Sequence, residues 1–194
     1  MSIDSFILND IEICHLEESI KDLQVVFNEL TYSHLPVEND GVYLGCISET
    51  DIRCLDGDKT IADYQYTLDG FFARQDDHWL ETLQVFALNQ TNILPVLNTE
   101  NKYLGYLELH DIINSFNETP FLNERGGILV LEKGVRDYSF SEIGQIVESH
   151  NAALLGMFVS SKEEGLTQVT IKLSTTALNE ILPNLPQIWL HYNI

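Results

Sequence analysis

Basic residues are scarce in this chain, whose 194 residues hold ten Lys and Arg against thirty Asp and Glu, a formal charge of −20. Such a surface repels phosphate backbones and anionic lipids, which argues against nucleic acid and membrane surfaces as partners. Cysteine is scarce as well: Cys14, Cys46 and Cys54 show neither C-x-x-C spacing nor a paired His cluster. An odd count without metal-ligand spacing fits a reducing compartment, gives no disulfide framework or structural zinc, and leaves the three as small hydrophobes. No apolar run approaches the ~18 residues of a membrane span, and the opening "MSIDSFILNDIEI" is acidic where a signal peptide is basic. A cytoplasmic protein is expected. A Gly-rich phosphate loop, metal-ligand spacing and a Ser-His-Asp order are also lacking, so nothing assembles into an enzyme.

What the chain does have is a repeat. "LPVENDGVYLGCISETDI" at 35–52 returns as "LPVLNTENKYLGYLELHDI" at 94–112, and an internal repeat sets the organisation before any other signal. Ahead of the first copy, "ESIKDLQVVFNEL" puts Ile20, Leu23, Val26, Phe27 and Leu30 on one helical face. Ahead of the second, "HWLETLQVFAL" puts Leu80, Leu83, Phe86 and Ala87 inward. "HLPV" and "VYLGCI", like "ILPV" and "KYLGYL", read as short strands, and "ETDIRCL" and "ELHDIINSF" as helices. Each unit is strand, helix, strand, strand, helix. A unit this small cannot bury its own sheet, so two copies are expected to pack together as a pseudo-symmetric pair.

The turn "SETD" allows two readings. A short carboxylate such as Asp51 can accept from both ribose hydroxyls, while Ser48 and the N–H groups opening the next helix offer donors to a phosphate. The same four residues also fit a capping box, with Ser48 as cap and Asp51 reaching back to the cap N–H. In the second copy Asp111 is kept, but Glu108 stands where Ser48 stood and Ile93 replaces His34. A carboxylate within about 4 Å of a phosphate costs on the order of several kcal/mol unless a cation such as Mg bridges them. The expectation is one competent site and one degenerate one. Glu108 and His110 are only two ligands two residues apart, short of a metal site.

Hydrophobic-Pro-Val followed by Gly-hydrophobic-hydrophobic-[Ser/Thr]-x-x-Asp, present twice at the same spacing, resembles a tandem pair of CBS domains over residues 1 to about 119. The resemblance implies a cleft between paired repeats that binds AMP, ADP, ATP or S-adenosylmethionine and regulates another protein without catalysis. It also implies a nucleotide-contacting place for Ser33 and His34, which precede "LPV", beside Ser48 and Asp51, with Asp111 the weaker candidate.

Pro120, Gly126 and Gly127 mark a boundary. Beyond it the chain reads as strand "GILVLEKGV", helix "SFSEIGQIVESH" with Ile143, Ile146 and Val147 inward, strand "ALLGMFVS", turn "SKEEG", strand "TQVTIKL" and helix "TALNEIL". Ser139 and Glu142 suit a capping box. This order, with "VRDYSFSEIGQIVESHNA", resembles an ACT domain, a ferredoxin-like fold of small-molecule sensors. The chain departs from that family in two ways: Tyr138, Ser139 and Phe140 follow Asp137 in place of Asp-x-x-Gly, and the sequence reaches "WLHYNI" where a fourth strand should begin.

The whole is therefore expected to be α/β (α+β), with CBS repeats at 1–57 and 58–119 and an ACT-like domain lacking its last strand at 125–194. The order resembles bacterial regulatory proteins of the acetoin-utilisation type. The expected function is a non-enzymatic, homodimeric regulator of an unknown protein that binds an adenine nucleotide, with no prosthetic group; the alternative is a ligand-free dimerisation scaffold.

Overall fold

The computed structural model describes residues 3–134 and 139–174. The chain divides into two compact units, Met1–Ser115 and Phe116–Ile194, both of mixed α+β type.

In the first unit, β1 (Cys14–His15), α1 (Ile20–Glu29), β2 (His34–Asn39), β3 (Val42–Ser48) and α2 (Glu49–Ile52) make the first copy. A 3₁₀ segment, Ile61–Thr67, leads to β4 (Ala73–Arg74), α3 (Trp79–Asn89), β5 (Ile93–Leu97), β6 (Tyr103–Glu108) and α4 (Leu109–Asn117). The sheets repeat each other, in the orders β1-β2-β3 and β4-β5-β6. In each the first strand runs parallel to the second and the third antiparallel to it.

The retained Pro-Val and Gly have a geometric reason. Val37 lies opposite Gly45 and Val96 opposite Gly105, each beside a register shift. Both glycines have positive φ, 153° and 143°. A Cβ on Gly45 would stand 3.0 Å from the Asp69 carbonyl oxygen, and one on Gly105 would stand 2.2 Å from that of Leu8. Side chains are excluded because another strand of chain crosses there. Leu8 exchanges two 2.8 Å backbone bonds with Tyr106, and Asp69 two 2.8 Å bonds with Cys46. Each copy's outer strand is thus closed by the segment that leads into the other copy.

One core gathers Ile20, Leu23, Phe27, Leu35, Val37, Ile47 and Ile52. Another gathers Phe86, Leu94, Val96, Leu107 and Ile112 with Tyr43, Cys46 and Phe71. Each such side chain contributes about 1.5–3 kcal/mol on burial. Ser19 caps α1, accepting from the Asp22 N–H at 3.1 Å.

Two expected faces need correction. Val26 is 37% exposed, because it lines a cleft of about 270 Å³ with Ile11 and Leu30, in which Asp10, Glu12 and Glu18 also take part. Along α3, Leu80 is 53% exposed and Ala87 is exposed, while Thr82 is buried beside Phe86. Thr82 can be buried because its hydroxyl donates to the Trp79 carbonyl at 2.6 Å, and the buried face runs about one residue away from the one expected of Leu80. The helix expected from "ETDIRCL" is a single turn. Of the cysteines, Cys14 and Cys46 are buried, as expected of small hydrophobes, and burial pushes the Cys46 thiol up to about 12. Cys54 is exposed instead.

The second unit holds α5 (Pro120–Asn123), β7 (Gly127–Gly134), α6 (Phe140–Ser149), β8 (Leu154–Glu163) and β9 (Leu166–Leu173). The sheet runs β7-β9-β8, antiparallel throughout. Ile143 and Val147 of α6 pack with Leu129, Leu131, Val169 and Ile171. Ser139 supplies its half of the expected box, accepting from the Glu142 N–H at 3.4 Å, while the Glu142 carboxylate lies 3.8 Å from Lys133 Nζ. The turn read over "SKEEG" is shorter: Ser161, Lys162 and Glu163 pair with β9, and only Glu164 and Gly165, both at positive φ, make the bend. A two-residue turn of that kind matches the strands' right-handed twist. Asp137, Tyr138, the helix "TALNEIL" and the question of a fourth strand lie outside the described residues.

Candidate functional site

The sheet register that builds the first copy also builds a site. His34 opens β2 and Ser48 closes β3, and the two face each other across the pair. They line a cleft of about 260 Å³ together with Ser33 and the first residues of α2, Glu49 and Thr50. The far wall comes from the other copy: Asn89 and Gln90 at the end of α3, with Asp69 from the connecting segment. The volume is near the lower bound of small-molecule sites, ~300 Å³.

His34 is buried and engaged on both ring nitrogens. Nδ1 lies 2.8 Å from Ser33 Oγ and Nε2 3.4 Å from Asp69 Oδ2, and the ring stands edge-on to Phe71 at 5.2 Å. Burial holds the imidazole below its usual range, outweighing the upward pull of the Asp69 and Asp51 carboxylates. At neutral pH His34 is therefore an uncharged donor and acceptor.

Ser48 caps α2, accepting from the Asp51 N–H at 3.0 Å, and its own hydroxyl proton is left to donate. The box is only half formed. Among the described residues the Asp51 carboxylate makes no hydrogen bond or ion pair, and it lies near enough to His34 to raise its proton affinity. Ser33 is more heavily committed. Its N–H donates to Asn92 Oδ1 at 2.9 Å and its hydroxyl to the same oxygen at 3.0 Å, with Thr91 Oγ1 at 3.2 Å. Ser33, His34 and Ser48 are thus brought together, with Asp51 one helical turn away from Ser48.

Asp111 lies in the first turn of α4, on the second copy, where the facing pair is Ile93 and Glu108. Glu108 accepts from the Tyr32 hydroxyl at 2.7 Å, Tyr32 Oη stands 3.3 Å from Tyr106 Oη, and the Tyr106 hydroxyl donates to Asp10 at 2.6 Å. Burial first, and the Asp10 hydrogen bond second, keep the Tyr106 phenol protonated. Glu108 is a structural acceptor here, bound to a tyrosine of the first copy. Sequence reading missed Asp69, Asn92 and Tyr32, because each acts across the pair. One signal was available for Asn92, which occupies the place of Ser33 in the repeat. Among the described residues no group of three His, Cys, Asp or Glu side chains is placed to hold a metal ion, and no helix is long and apolar enough to cross a membrane.

Comparison with known proteins agrees with this geometry. Residues 3–55 match the family model of the CBS domain. Over 153 residues the chain is 22% identical to inosine-5'-monophosphate dehydrogenase of Methanocaldococcus jannaschii, a match that takes in 78% of this chain and 31% of that enzyme, so the chain spans less than a third of that relative. Among solved structures it is similar to a CBS domain pair/ACT domain protein from Thermotoga maritima, with a TM-score of 0.55 and 21% identity over 61% of this chain and 98% of that one. It is also similar to CBSX2 in complex with AMP, with a TM-score of 0.52 and 18% identity over 59% and 95%. At such identities the likeness is one of fold, and the first unit has the fold of a CBS domain pair.

Proposed function

We propose that this protein is a non-enzymatic regulator that binds an adenine nucleotide in the cleft of its first repeat. The observation that carries the reading is that His34 and the unspent hydroxyl proton of Ser48 face one cleft, with the unpartnered Asp51 carboxylate one helical turn beyond its lining and near enough to act on His34. Asp51 takes the ribose hydroxyls, Ser48 donates to the first phosphate, and His34, held by Ser33, forms the wall beside it. Asp111 is the weaker, second-copy counterpart. CBSX2 is seen with AMP, and the extension of that ligand to this chain is part of the proposal. A diphosphate or triphosphate would need Mg to accompany it, because the lining holds no Lys or Arg.

The repeats are taken as 1–57 and 58–119, and 125–194 as an ACT-like domain of a protein of the acetoin-utilisation type. The β7-β9-β8 order, with the first strand beside the third, supports a ferredoxin-like topology for that part. The working protein is a cytoplasmic homodimer acting on an unknown protein partner, without nucleic acid or membrane; light scattering should give twice the monomer mass.

Thermal shift with AMP, ADP, ATP and S-adenosylmethionine tests the reading. A ligand at a hundredfold its Kd stabilises the fold by about 2.7 kcal/mol. A melting temperature unmoved by all four leaves the ligand-free scaffold, which the cap bond from Asp51 N–H to Ser48 favours.

A further inference from the structure

We infer that Asp69 makes the cleft select against phosphate chains, admitting adenosine and AMP and turning away ADP and ATP. This rests on the reading of the cleft as an adenosine site. The lining holds two carboxylates, Glu49 and Asp69, and no Lys or Arg. The nearby cation Arg53 is tied to Glu49 at 2.5 Å. Backbone donors are short as well: the Glu49 N–H is given to the Ser33 carbonyl at 2.9 Å and the Asp51 N–H to Ser48. The one N–H of neutral His34 is engaged by Ser33 Oγ or Asp69 Oδ2, which leaves none for a phosphate. A second or third phosphate therefore meets a carboxylate with no fixed cation beside it.

The two bonds to Cys46 fix the Asp69 backbone beside the cleft, and its half-exposed carboxylate lies 3.4 Å from His34 Nε2. The frame does not need its side chain. At the equivalent place in the pseudo-symmetric pair stands Leu8, which makes the same two backbone bonds, to Tyr106. A carboxylate at that position answers to whatever enters the cleft.

Calorimetric titration of adenosine, AMP, ADP and ATP, without magnesium and with chelator, into the full chain and its Asp69→Asn variant tests this. Expected is an affinity that falls from AMP to ADP to ATP in the unaltered protein. In Asp69→Asn the ATP affinity should rise by about tenfold or more, while that for adenosine changes by less than about twofold. An unchanged ratio of ATP to adenosine affinity in the two proteins overturns the role of Asp69 and leaves the adenosine site standing. Absence of binding by all four ligands to both proteins overturns the site together with the inference. If Asp69→Asn does not melt cooperatively, Asp69→Ser replaces it with the same expected ratios.

Discussion

Ser33 and Asn92 occupy the same place in the two repeats and bind each other. The Ser33 N–H donates to Asn92 Oδ1 at 2.9 Å, and the Asn92 N–H donates to Ser33 Oγ at 3.1 Å. Asn92 Nδ2 also donates to the Thr31 carbonyl at 2.8 Å. Because Ser33 Oγ is also 2.8 Å from the His34 ring, this clasp ties the cleft of the first copy to the second copy.

Removing the clasp should loosen the pair. Asn92→Ala leaves the Ser33 N–H and the Thr31 carbonyl without their partner and should lower unfolding stability by about 1–3 kcal/mol. Asn92→Asp keeps the acceptor and should lose less. Urea denaturation of the two variants, with Ser33→Ala to close a double-mutant cycle, reads the coupling; strictly additive losses would show that the bonds are incidental.

Tyr32 and Glu108 make a second cross-repeat tie, and it changes what the loss of Glu108 should do. Glu108 is expected to repel phosphate in the second copy, and it is also the acceptor for the Tyr32 hydroxyl. Tyr32→Phe should therefore cost about 1–3 kcal/mol, by leaving a carboxylate with its hydrogen bond unmade. Glu108→Ser should destabilise the fold without adding a nucleotide, so calorimetry should still give one ligand per chain. A stoichiometry of two would show that Glu108 alone keeps a nucleotide from the second copy.

His34 should give the stability a pH dependence. Its folded proton affinity is held below the ordinary value of 6.5, so between the folded value and 6.5 the unfolded chain binds more protons and stability rises with pH. The groups facing the ring are Asp69 and Asp51, the Ser33 hydroxyl and the Phe71 edge. Thermal melts should lose stability as pH falls below about 6.5, and His34→Gln should flatten that slope. An identical slope in the variant would place the transition elsewhere.

How much of this was legible before folding follows from which forces act locally. The facing of His34 to Ser48 emerges from the β2–β3 register, whereas the strand–helix–strand–strand order and the Gly45 and Gly105 positions come from short-range periodicity, and the sequence carries them openly. The Ser48 cap was legible for the same reason. Asp69, Tyr32 and Asn92 were not, since each partner lies far along the chain. The α3 face was misjudged because a Thr that satisfies its hydroxyl internally can be buried, so Thr82 displaced Leu80. Val26 reads as core by spacing alone, yet it faces a cleft whose other wall is the N-terminal segment.

The central claim is that one nucleotide binds beside Asp51 and none beside Asp111. Calorimetric titration of AMP into the unaltered chain, Asp51→Ala and Asp111→Ala tests it most directly. The account predicts one AMP per chain, an affinity loss in Asp51→Ala matching hydrogen bonds to a charged group worth roughly 1.5–3 kcal/mol each, and near-identity of Asp111→Ala with the unaltered protein. Equal affinity of the unaltered chain and Asp51→Ala would contradict it, and would leave Ser48 and its turn as a helix cap.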